Sequence, residues 1–389
     1  MSMKKLPLGI QTFRKIVEGD YVYVDKTQYI YELINGESYY FLSRPRRFGK
    51  SLLLDTIAEA FSGDKELFKG LYIYDSDYSF EKHPVIRIDL SNIANRTPEM
   101  LENSLASELK RRILNEGFDI EDKIISDMFK NLIVALYKKY NTGVVVLIDE
   151  YDKPILDRLN NLGTAVENSD VLREFYGVLK SMDPFLRFTL ITGITKFTKT
   201  SVFSGLNNLY DITLIKRYAN ICGVTAEGLD EYFSANINEL IHLEDFRQYT
   251  NIKDEILSWY NGYSWDGRTT VLNPYSLLSF FTGKVFKSFW FSSGTPKFLL
   301  DLIKKKPDIY INIKNLRITE SMLDSTDIEE IDAELILFQT GYLTIKETQL
   351  VQDEAVYLLG MPNKEVENAF NLHVVTAFTG KNQPFVKNV

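Results

Sequence analysis

Short apolar runs alternate with stretches of helical spacing between residues 38 and 214, and this alternation limits the possible folds more than any other feature. The runs predicted as strands are residues 38–44, 85–90, 143–149, 187–193 and 210–215. The stretches predicted as helices are residues 51–61, 99–114, 122–140 and 170–182. Strands that alternate with helices form a mostly parallel sheet with helices on both faces. The sequence therefore predicts an α/β fold with a mostly parallel sheet whose strands are buried on both sides.

The first predicted strand leads into the octapeptide RPRRFGKS, residues 44–51, which matches most of the P-loop pattern G-x-x-x-x-G-K-[ST]. The tripeptide GKS occupies the expected positions 49–51, whereas Arg44 stands where the pattern has its first glycine. The residue before a proline is restricted to extended backbone, and Pro45 follows Arg44. The first position therefore does not need the positive φ that glycine provides, and Arg44 is compatible with a functional loop.

A loop of this kind binds phosphates through backbone N–H groups and the positive end of the following helix dipole. Lys50 would add a cation between the terminal phosphates, and the Ser51 hydroxyl would be a ligand of Mg²⁺. The sequence predicts a Walker A nucleotide site that consists of Arg46, Arg47, Phe48, Gly49, Lys50, Ser51 and Leu52. Two interpretations stay open for Arg46 and Arg47, namely contact with a phosphate or solvated charges that pair with carboxylates.

The apolar run VVVLI, residues 144–148, is followed by the acidic pair Asp149 and Glu150, which is the pattern of a Walker B motif. In such a motif the Asp is held near Mg²⁺, and in ATPases a following Glu polarises the attacking water. We therefore expect Ser51 and Asp149 to hold Mg²⁺ and Glu150 to be catalytic. Asp152 is a second candidate for the water-positioning role, although capping of the next segment is the simpler interpretation.

The strand predicted at residues 187–193 ends in a polar side chain, Thr192, which we expect to sense the γ-phosphate as a second catalytic residue. Arg217 is a candidate arginine finger, although most surface arginines form ordinary ion pairs. The N-K-x-D segment that reads guanine in P-loop GTPases is not matched in the sequence. ATP with Mg²⁺ is therefore the expected nucleotide.

The composition excludes several classes of protein. A net charge of −8 and a pI of about 5.2 disfavour nucleic acid as a partner. The single cysteine, Cys222, suits a reducing compartment. The longest apolar runs are far shorter than the roughly 20 residues that cross a bilayer. The sequence thus predicts a cytoplasmic protein that binds ATP and has no membrane partner, and homo-oligomerisation stays open.

Changes in pattern along the chain predict four parts. Residues 1–216 form the ATPase domain, 217–310 a helical lid, 311–361 a winged-helix-like region, and 362–389 a truncated linker to a further C-terminal domain. The winged-helix interpretation rests on a helical pattern at 327–341 followed by two predicted strands. In the last part, Val366, Phe370 and Val374 form an apolar stripe with no visible partner. We expect this segment to be mobile or to pack against a second copy.

With these motifs the chain resembles the bacterial AAA-ATPase-like proteins related to STAND and archaeal ATPases. The matching strings are LPLGIQTFRKI, YVYVDKT, YYFLSRPRRFGKSLLLDT, LFKGLYI, VIRIDLS, VVVLIDEYDKPI, TGITKFTKTSVFSGLNNLYDITL, YNGYSWDG, LNPYSLL, FWFSSGTPKFLL and MPNKEV. In that family the loop reads R-P-R-R-F-G-K-S, so Arg44 is an ordinary member of it. The resemblance implies that Lys50 and Ser51 serve the phosphates and Mg²⁺, and that Asp149 and Glu150 form the acidic pair.

Family members usually continue into a PD-(D/E)XK nuclease-like domain, but residues after 362 contain no matching motif, and nuclease activity is not expected of this chain. The leading functional prediction is an ATP-driven switch that couples nucleotide state to a downstream domain or partner. One alternative is a non-hydrolysing nucleotide-binding scaffold or oligomerisation module. The other is a DNA-handling regulator that acts through the winged region.

Overall fold

The computed structural model describes residues 3–197, 202, 203, 206, 208–290, 313, 316–324, 328 and 332–379. Its central feature is a parallel sheet of five strands with the order β2-β3-β4-β1-β5. The strands are β1 (Tyr39–Ser43), β2 (Val85–Asp89), β3 (Val144–Asp149), β4 (Leu186–Gly193) and β5 (Tyr210–Asp211). The predicted α/β fold with a parallel sheet is confirmed.

Burial on both faces explains why these strands are continuously apolar. Alternate residues of a strand point to opposite faces, and in β3 Val145 and Leu147 join one hydrophobic cluster while Val146 and Ile148 join another. Every residue of β3 is buried. The sheet therefore separates two cores. Because both faces are buried, a ligand can reach the sheet only at the ends of its strands.

Helices cover both faces of the sheet. The helices in this part of the chain are α1 (Phe13–Glu18), α2 (Thr27–Ile34), α3 (Lys50–Ala60), α4 (Pro98–Asn115), α5 (Ile125–Tyr140), α6 (Lys153–Leu156) and α7 (Leu162–Ser181). Helix α3 supplies Leu53, Leu54 and Ile57 to the first cluster, whereas α4, α5 and α7 face the second. Helix α7 starts at Leu162, eight residues before the predicted start at residue 170.

The last strand of the sheet is shorter than the sequence predicts. Strand β5 covers only Tyr210 and Asp211 instead of residues 210–215. Side chains replace the ladder after it, because the Asp211 carboxylate accepts from the Thr213 N–H and the Thr213 hydroxyl accepts from the Ser43 N–H at 3.0 Å. Beyond Asp211, the chain therefore forms a turn beside β1 that is held by hydrogen bonds from side chains.

A helical region follows the sheet. Its helices are α8 (Ala226–Ile241), α9 (Ile252–Tyr260) and α10 (Pro274–Gly283), which share a third hydrophobic cluster. Residues 261–276, between α9 and the first turn of α10, take part in the isolated bridges Tyr263–Val271 and Val224–Leu272. Residues 291–310 of the predicted helical lid lie outside the described residues.

The next part contains an antiparallel sheet of order β6-β8-β7. Its elements are β6 (Arg317–Thr319), α11 (Glu320–Asp324), α12 (Ala333–Gln339), β7 (Thr344–Val351) and β8 (Glu354–Gly360). The predicted hairpin is present, but β7 extends to Val351, so its turn consists only of Gln352 and Asp353. Sequence analysis missed β6 because three residues are too few to show a period of two.

The apolar stripe after residue 362 has a partner, so the expectation of a mobile or intermolecular segment was wrong for its described side chains. Residues Lys364–Thr379 form helix α13. Val366 and Phe370 are buried in the first hydrophobic cluster, and the Phe370 ring meets the Tyr342 ring edge to face. The side chain of Val374 lies outside the described residues. The partner of the stripe is contributed by the preceding antiparallel region.

The hairpin turn supplies a stability prediction. Gln352 and Asp353 both have positive φ, 49° and 66°, which costs most L-residues about 1–2 kcal/mol. We expect Asp353→Gly to raise the free energy of unfolding by about 1 kcal/mol, because glycine adopts this backbone freely. Urea unfolding measures the effect. The control, Gln349→Gly within β7, should lower stability by a similar amount, and equal effects of the two variants would contradict the prediction.

Candidate functional site

The carboxyl ends of β1, β4 and β3 meet at one edge of the sheet, and the loop of residues 44–49 begins there. The Arg44 N–H donates to the Gly193 carbonyl at 3.1 Å, so β1 pairs with β4 up to the loop. Positive φ falls on Arg47 and Gly49, at 66° and 93°, and not on Arg44. The loop thus starts its turn after Pro45, which is why a first glycine is not required.

Arg44 is fully buried, with a role that sequence analysis did not find. Its guanidinium donates to the carbonyls of Ser43 and Thr213 at 2.8 Å and of Tyr218 at 3.0 Å. It also lies 4.0 Å from the ring centroid of Trp265, a cation–π contact. Burial lowers the pKa of Arg44 to about 10. The residue fastens the loop to the turn after β5 and to the helical region.

Lys50 is the first residue of α3 and points back into the loop. Its ammonium donates to the carbonyls of Arg44 at 2.8 Å and Pro45 at 3.0 Å. Burial lowers the pKa of Lys50, and the nearby carboxylates of Asp149 and Glu150 oppose that shift. A cation is therefore held at the amino-terminal end of an 11-residue helix, facing the acidic strand end.

The other side chains of the loop contact the C-terminal half of the chain. The exposed Arg47 guanidinium lies 3.8 Å from the Tyr275 ring centroid. Phe48 is buried and meets the rings of Tyr263 and Trp265 edge to face, with centroids 4.7 and 5.4 Å away. Arg47 and Phe48 can therefore offer a ligand their backbone N–H groups more readily than their side chains.

Arg46 is exposed like its neighbour Arg47, but its positive charge reaches Glu150, where it opposes part of the rise in pKa that burial causes. Its backbone carbonyl accepts from the Trp290 indole N–H at 3.1 Å. Of the two arginines for which the sequence left two roles open, Arg46 is the one placed electrostatically near the acidic strand end.

The acidic strand end contains a linked pair from neighbouring strands. Thr192 and Asp149 are both buried, and the Thr192 hydroxyl donates to Asp149 Oδ1 at 2.7 Å. The Glu150 N–H donates to the same oxygen at 3.0 Å. Glu150 has a positive φ of 51° and is half-buried. Burial raises the pKa of the Glu150 carboxyl, Asp149 and Asp152 raise it further, and Lys50 lowers it. The carboxyl is therefore a stronger base than an ordinary Glu.

The Asp152 carboxylate binds the turn after β4, and the interpretation of Asp152 as a cap of the next segment was wrong. It lies at the N-cap of α6, yet its side chain makes no cap bond there. Instead Oδ2 accepts from the N–H groups of Ile194 and Thr195 at 2.9 and 2.6 Å and from the Thr195 hydroxyl. The carboxyl is fully buried, and burial raises its pKa. Asp152 joins the ends of β3 and β4 and is not positioned to orient water.

Arg217, the candidate arginine finger, forms an ion pair with Glu32 at 2.7 Å on an exposed surface. This is the ordinary fate of a surface arginine, and it gives the finger interpretation no support.

An apolar cavity of about 100 Å³ lies beside Gly49. Its walls come from the N-terminal segment, the start of α3 and the residues before α8, and they include Pro7, Val22, Lys26, Leu52, Ile221 and Val224. Lys26 donates to the Asn220 carbonyl at 2.7 Å, and burial lowers its pKa to about 8. Sequence analysis missed this cavity because its walls are far apart in the chain. One wall is formed by residues of the string YVYVDKT, which sequence comparison with the family identified but to which it assigned no role.

Comparison with known proteins agrees with this architecture. The family described as Predicted AAA-ATPase matches residues 7–203. The "Uncharacterized protein in vnfD 5'region" of Azotobacter chroococcum mcd 1 is 43% identical over 373 residues, which is 95% of this chain and 70% of that protein. The chain therefore belongs to the AAA-ATPase-like family, as its motifs suggested. Family membership supports a nucleotide-binding, ATPase-like role.

Helices of sufficient length and apolarity to span a bilayer are absent from the described part of the chain.

The buried arginine generates a prediction about the loop. Arg44→Gly restores the general P-loop pattern but leaves three carbonyl acceptors without their donor. We expect a loss on the order of 3 kcal/mol in the free energy of unfolding, with no gain in ATP affinity. Urea unfolding and calorimetric titration with ATP measure both quantities.

The matched control for this variant is Arg46→Gly, which removes an exposed side chain from the same loop and should change stability by at most about 1 kcal/mol. Tighter ATP binding and a higher melting temperature in Arg44→Gly would show that position 44 requires positive φ.

Proposed function

We propose that this protein is an ATP-dependent molecular switch that binds ATP with Mg²⁺, hydrolyses it, and passes its nucleotide state to the C-terminal half of the chain. The observation that carries the proposal is the loop itself. Its Lys50 faces the acidic strand end, whereas the side chains of Arg44, Arg47 and Phe48 contact residues beyond 260. A ligand at the loop would therefore act on both halves at once.

The phosphate site is supported by the backbone around Gly49. This glycine has a φ of 93°, and a Cβ there would meet no atom within 4 Å, so the space beside it is open. The first N–H groups of α3 have no partners within the helix, and we propose that they bind the phosphates. Lys50 supplies the cation, and it would exchange its two loop carbonyls for phosphate oxygens. Arg46 is the second cation that we assign to the phosphates.

The Mg²⁺ site would consist of the Ser51 hydroxyl and the Asp149 carboxylate. Mg²⁺ prefers oxygen ligands and is usually held by one or two carboxylates together with substrate phosphates. Its contribution would be to neutralise charge on the phosphates. The hydrogen bonds that Asp149 accepts from the Thr192 hydroxyl and the Glu150 N–H both fall on Oδ1. We infer that Thr192 positions Asp149 and that Oδ2 faces the cation.

Glu150 is the residue that we propose to accept the proton of the attacking water. Its raised pKa makes it a better base than an ordinary carboxylate. Glu150 is half-buried, so its carboxyl can contact water at the carboxyl ends of the strands.

The apolar cavity beside Gly49 is the proposed site of the base, because aromatic rings favour apolar walls with few polar groups. It is bounded by the N-terminal segment and by residues 221–224 of the helical region. Nucleotide binding there would close the helical region on the sheet. The division into an ATPase domain, residues 1–216, a lid, residues 217–310, and a winged-helix-like region, residues 311–361, is part of this proposal.

Removal of the loop cation tests the nucleotide site. We expect Lys50→Ala to weaken ATP binding about tenfold to a hundredfold, because a charge-assisted hydrogen bond contributes about 1.5–3 kcal/mol. Calorimetric titration in the presence of Mg²⁺ measures the affinity. Lys153→Ala is the control, since Lys153 pairs with Asp157 after the acidic strand end and contacts neither loop carbonyl. Equal affinity in Lys50→Ala and the parent protein would refute the P-loop assignment.

Separate substitutions in the acidic pair test hydrolysis. Glu150→Gln should retain ATP binding and slow phosphate release by about 10²–10⁴-fold, because an amide cannot accept a proton from water. Asp149→Asn should instead weaken the Mg²⁺-dependent part of binding. Phosphate release and ATP titration with and without Mg²⁺ distinguish the two effects. Turnover near zero in both the parent and Glu150→Gln, with ATP still bound, would favour the non-hydrolysing scaffold.

A further inference from the structure

Trp290 connects the nucleotide loop to the last described helix through two hydrogen bonds. Its indole N–H donates to the Arg46 carbonyl at 3.1 Å. Its backbone N–H donates to Glu365 Oε1 at 2.8 Å, and Glu365 lies in the first turn of α13. One residue therefore contacts both the loop and the start of a helix that is remote from it in sequence.

Ring packing forms a second connection between the same two places. The Trp290 ring meets the Tyr342 ring edge to face with centroids 5.3 Å apart, and Tyr342 in turn meets Phe370 of α13 at 6.0 Å. Gly341 lies against Pro45, where an added Cβ would stand 2.8 Å from the proline ring and 3.3 Å from Trp290. The loop and Trp290 are thus packed closely around Gly341, and the neighbouring Tyr342 continues the contact to α13.

Burial of the Glu365 carboxyl at this position lowers the stability of the fold. It is fully buried, and its Oε1 also accepts from the Ser276 hydroxyl at 3.0 Å, but Oε2 has no hydrogen-bond partner among the described residues. Burial raises the pKa of this carboxyl to about 7. A buried carboxyl without a cation lowers stability relative to an apolar side chain of similar volume. Stability alone therefore does not account for Glu365.

We propose that Trp290 and Glu365 form a latch through which nucleotide at the loop controls the docking of α13. The proposal rests on the proposed function, because it requires ATP to bind at the loop. The Lys50 ammonium donates to the carbonyls of Arg44 and Pro45. The next carbonyl along the chain, that of Arg46, accepts the hydrogen bond from the Trp290 indole N–H. When phosphate oxygens replace these carbonyls at Lys50, the backbone at Arg46 shifts and the Trp290 bond weakens.

Coupling of this kind requires a contact whose strength differs between the two nucleotide states. The Trp290–Arg46 bond is such a contact, since it ends on the loop that would receive the phosphates, whereas the Trp290–Glu365 bond ends on a helix. Loss of the first bond frees Trp290 to move with Glu365 and Tyr342. The expected output is a change in the stability of α13, the element that leads to whatever follows in the chain.

Hydrogen–deuterium exchange of amides 364–372 in the full chain, with and without ATP and Mg²⁺, tests the latch. In the parent protein we expect ATP to speed exchange in α13 severalfold. Trp290→Phe keeps the ring and the backbone N–H but loses the indole donor. It should bind ATP within about threefold of the parent, show fast exchange in α13 without nucleotide, and lose the ATP effect.

Trp259→Phe is the matched control, because the Trp259 indole N–H donates at 2.8 Å to Glu255, a carboxylate that pairs with Lys364 of α13 but does not touch the loop. This variant should keep the ATP effect on α13. A second pair of variants serves if Trp290→Phe does not fold. Glu365→Ala should abolish the ATP effect, whereas Glu365→Gln retains an acceptor for the Trp290 N–H and should preserve it.

The outcomes separate the latch from the proposed function. A parental ATP effect on α13 in Trp290→Phe or Glu365→Ala overturns the latch. So does ATP binding by the parent protein without any change of exchange in α13. Failure of the parent protein to bind ATP overturns the proposed function as well, and calorimetric titration reports that result independently of exchange.

Discussion

The buried guanidinium of Arg44 is the interaction on which the geometry of the nucleotide loop depends. A buried cation lowers stability unless its donors find partners, and here the carbonyls of Ser43, Thr213 and Tyr218 accept three hydrogen bonds from the two terminal nitrogens, while Nε has no partner among the described residues. Trp265 covers the remaining face. Arg44, which replaces the first glycine of the general P-loop, thus determines where the loop begins and which residues it packs against.

This anchoring divides the loop into two functional surfaces. The side chains of Arg44, Arg47 and Phe48 are committed to Trp265, Tyr275 and Tyr263 in the helical region. The backbone N–H groups, Gly49 and Lys50 remain on the side of the strand ends. We propose that a P-loop built in this way binds phosphate through its backbone, Lys50 and Arg46. The side chains of Arg44, Arg47 and Phe48 would then connect the loop conformation to the rest of the chain.

The sequence predicts what depends on local pattern and misses what depends on contacts between distant residues. The strands around Val145 and Leu190 are recognisable because burial on both faces makes them continuously apolar. The Lys50 and Asp149 assignments follow from position along such strands and helices. The roles of Arg44 and Asp152, the short β5 and the burial of Phe370 are different. Each is set by a partner far along the chain, such as Trp265, and no local period encodes it.

The contacts of the acidic segment indicate where movement can occur. Asp152 joins β3 to the turn after β4 through the N–H groups of Ile194 and Thr195, and Thr192 joins β4 to Asp149. These bonds are buried, so the two strand ends form one rigid unit. The loop is held to the C-terminal half by the buried contacts of Arg44 and Phe48 with Trp265, by the stacking of the exposed Arg47 on Tyr275, and by the bond from Trp290 to the Arg46 carbonyl. We propose that nucleotide acts on the last two of these contacts, while the acidic residues stay fixed relative to the sheet.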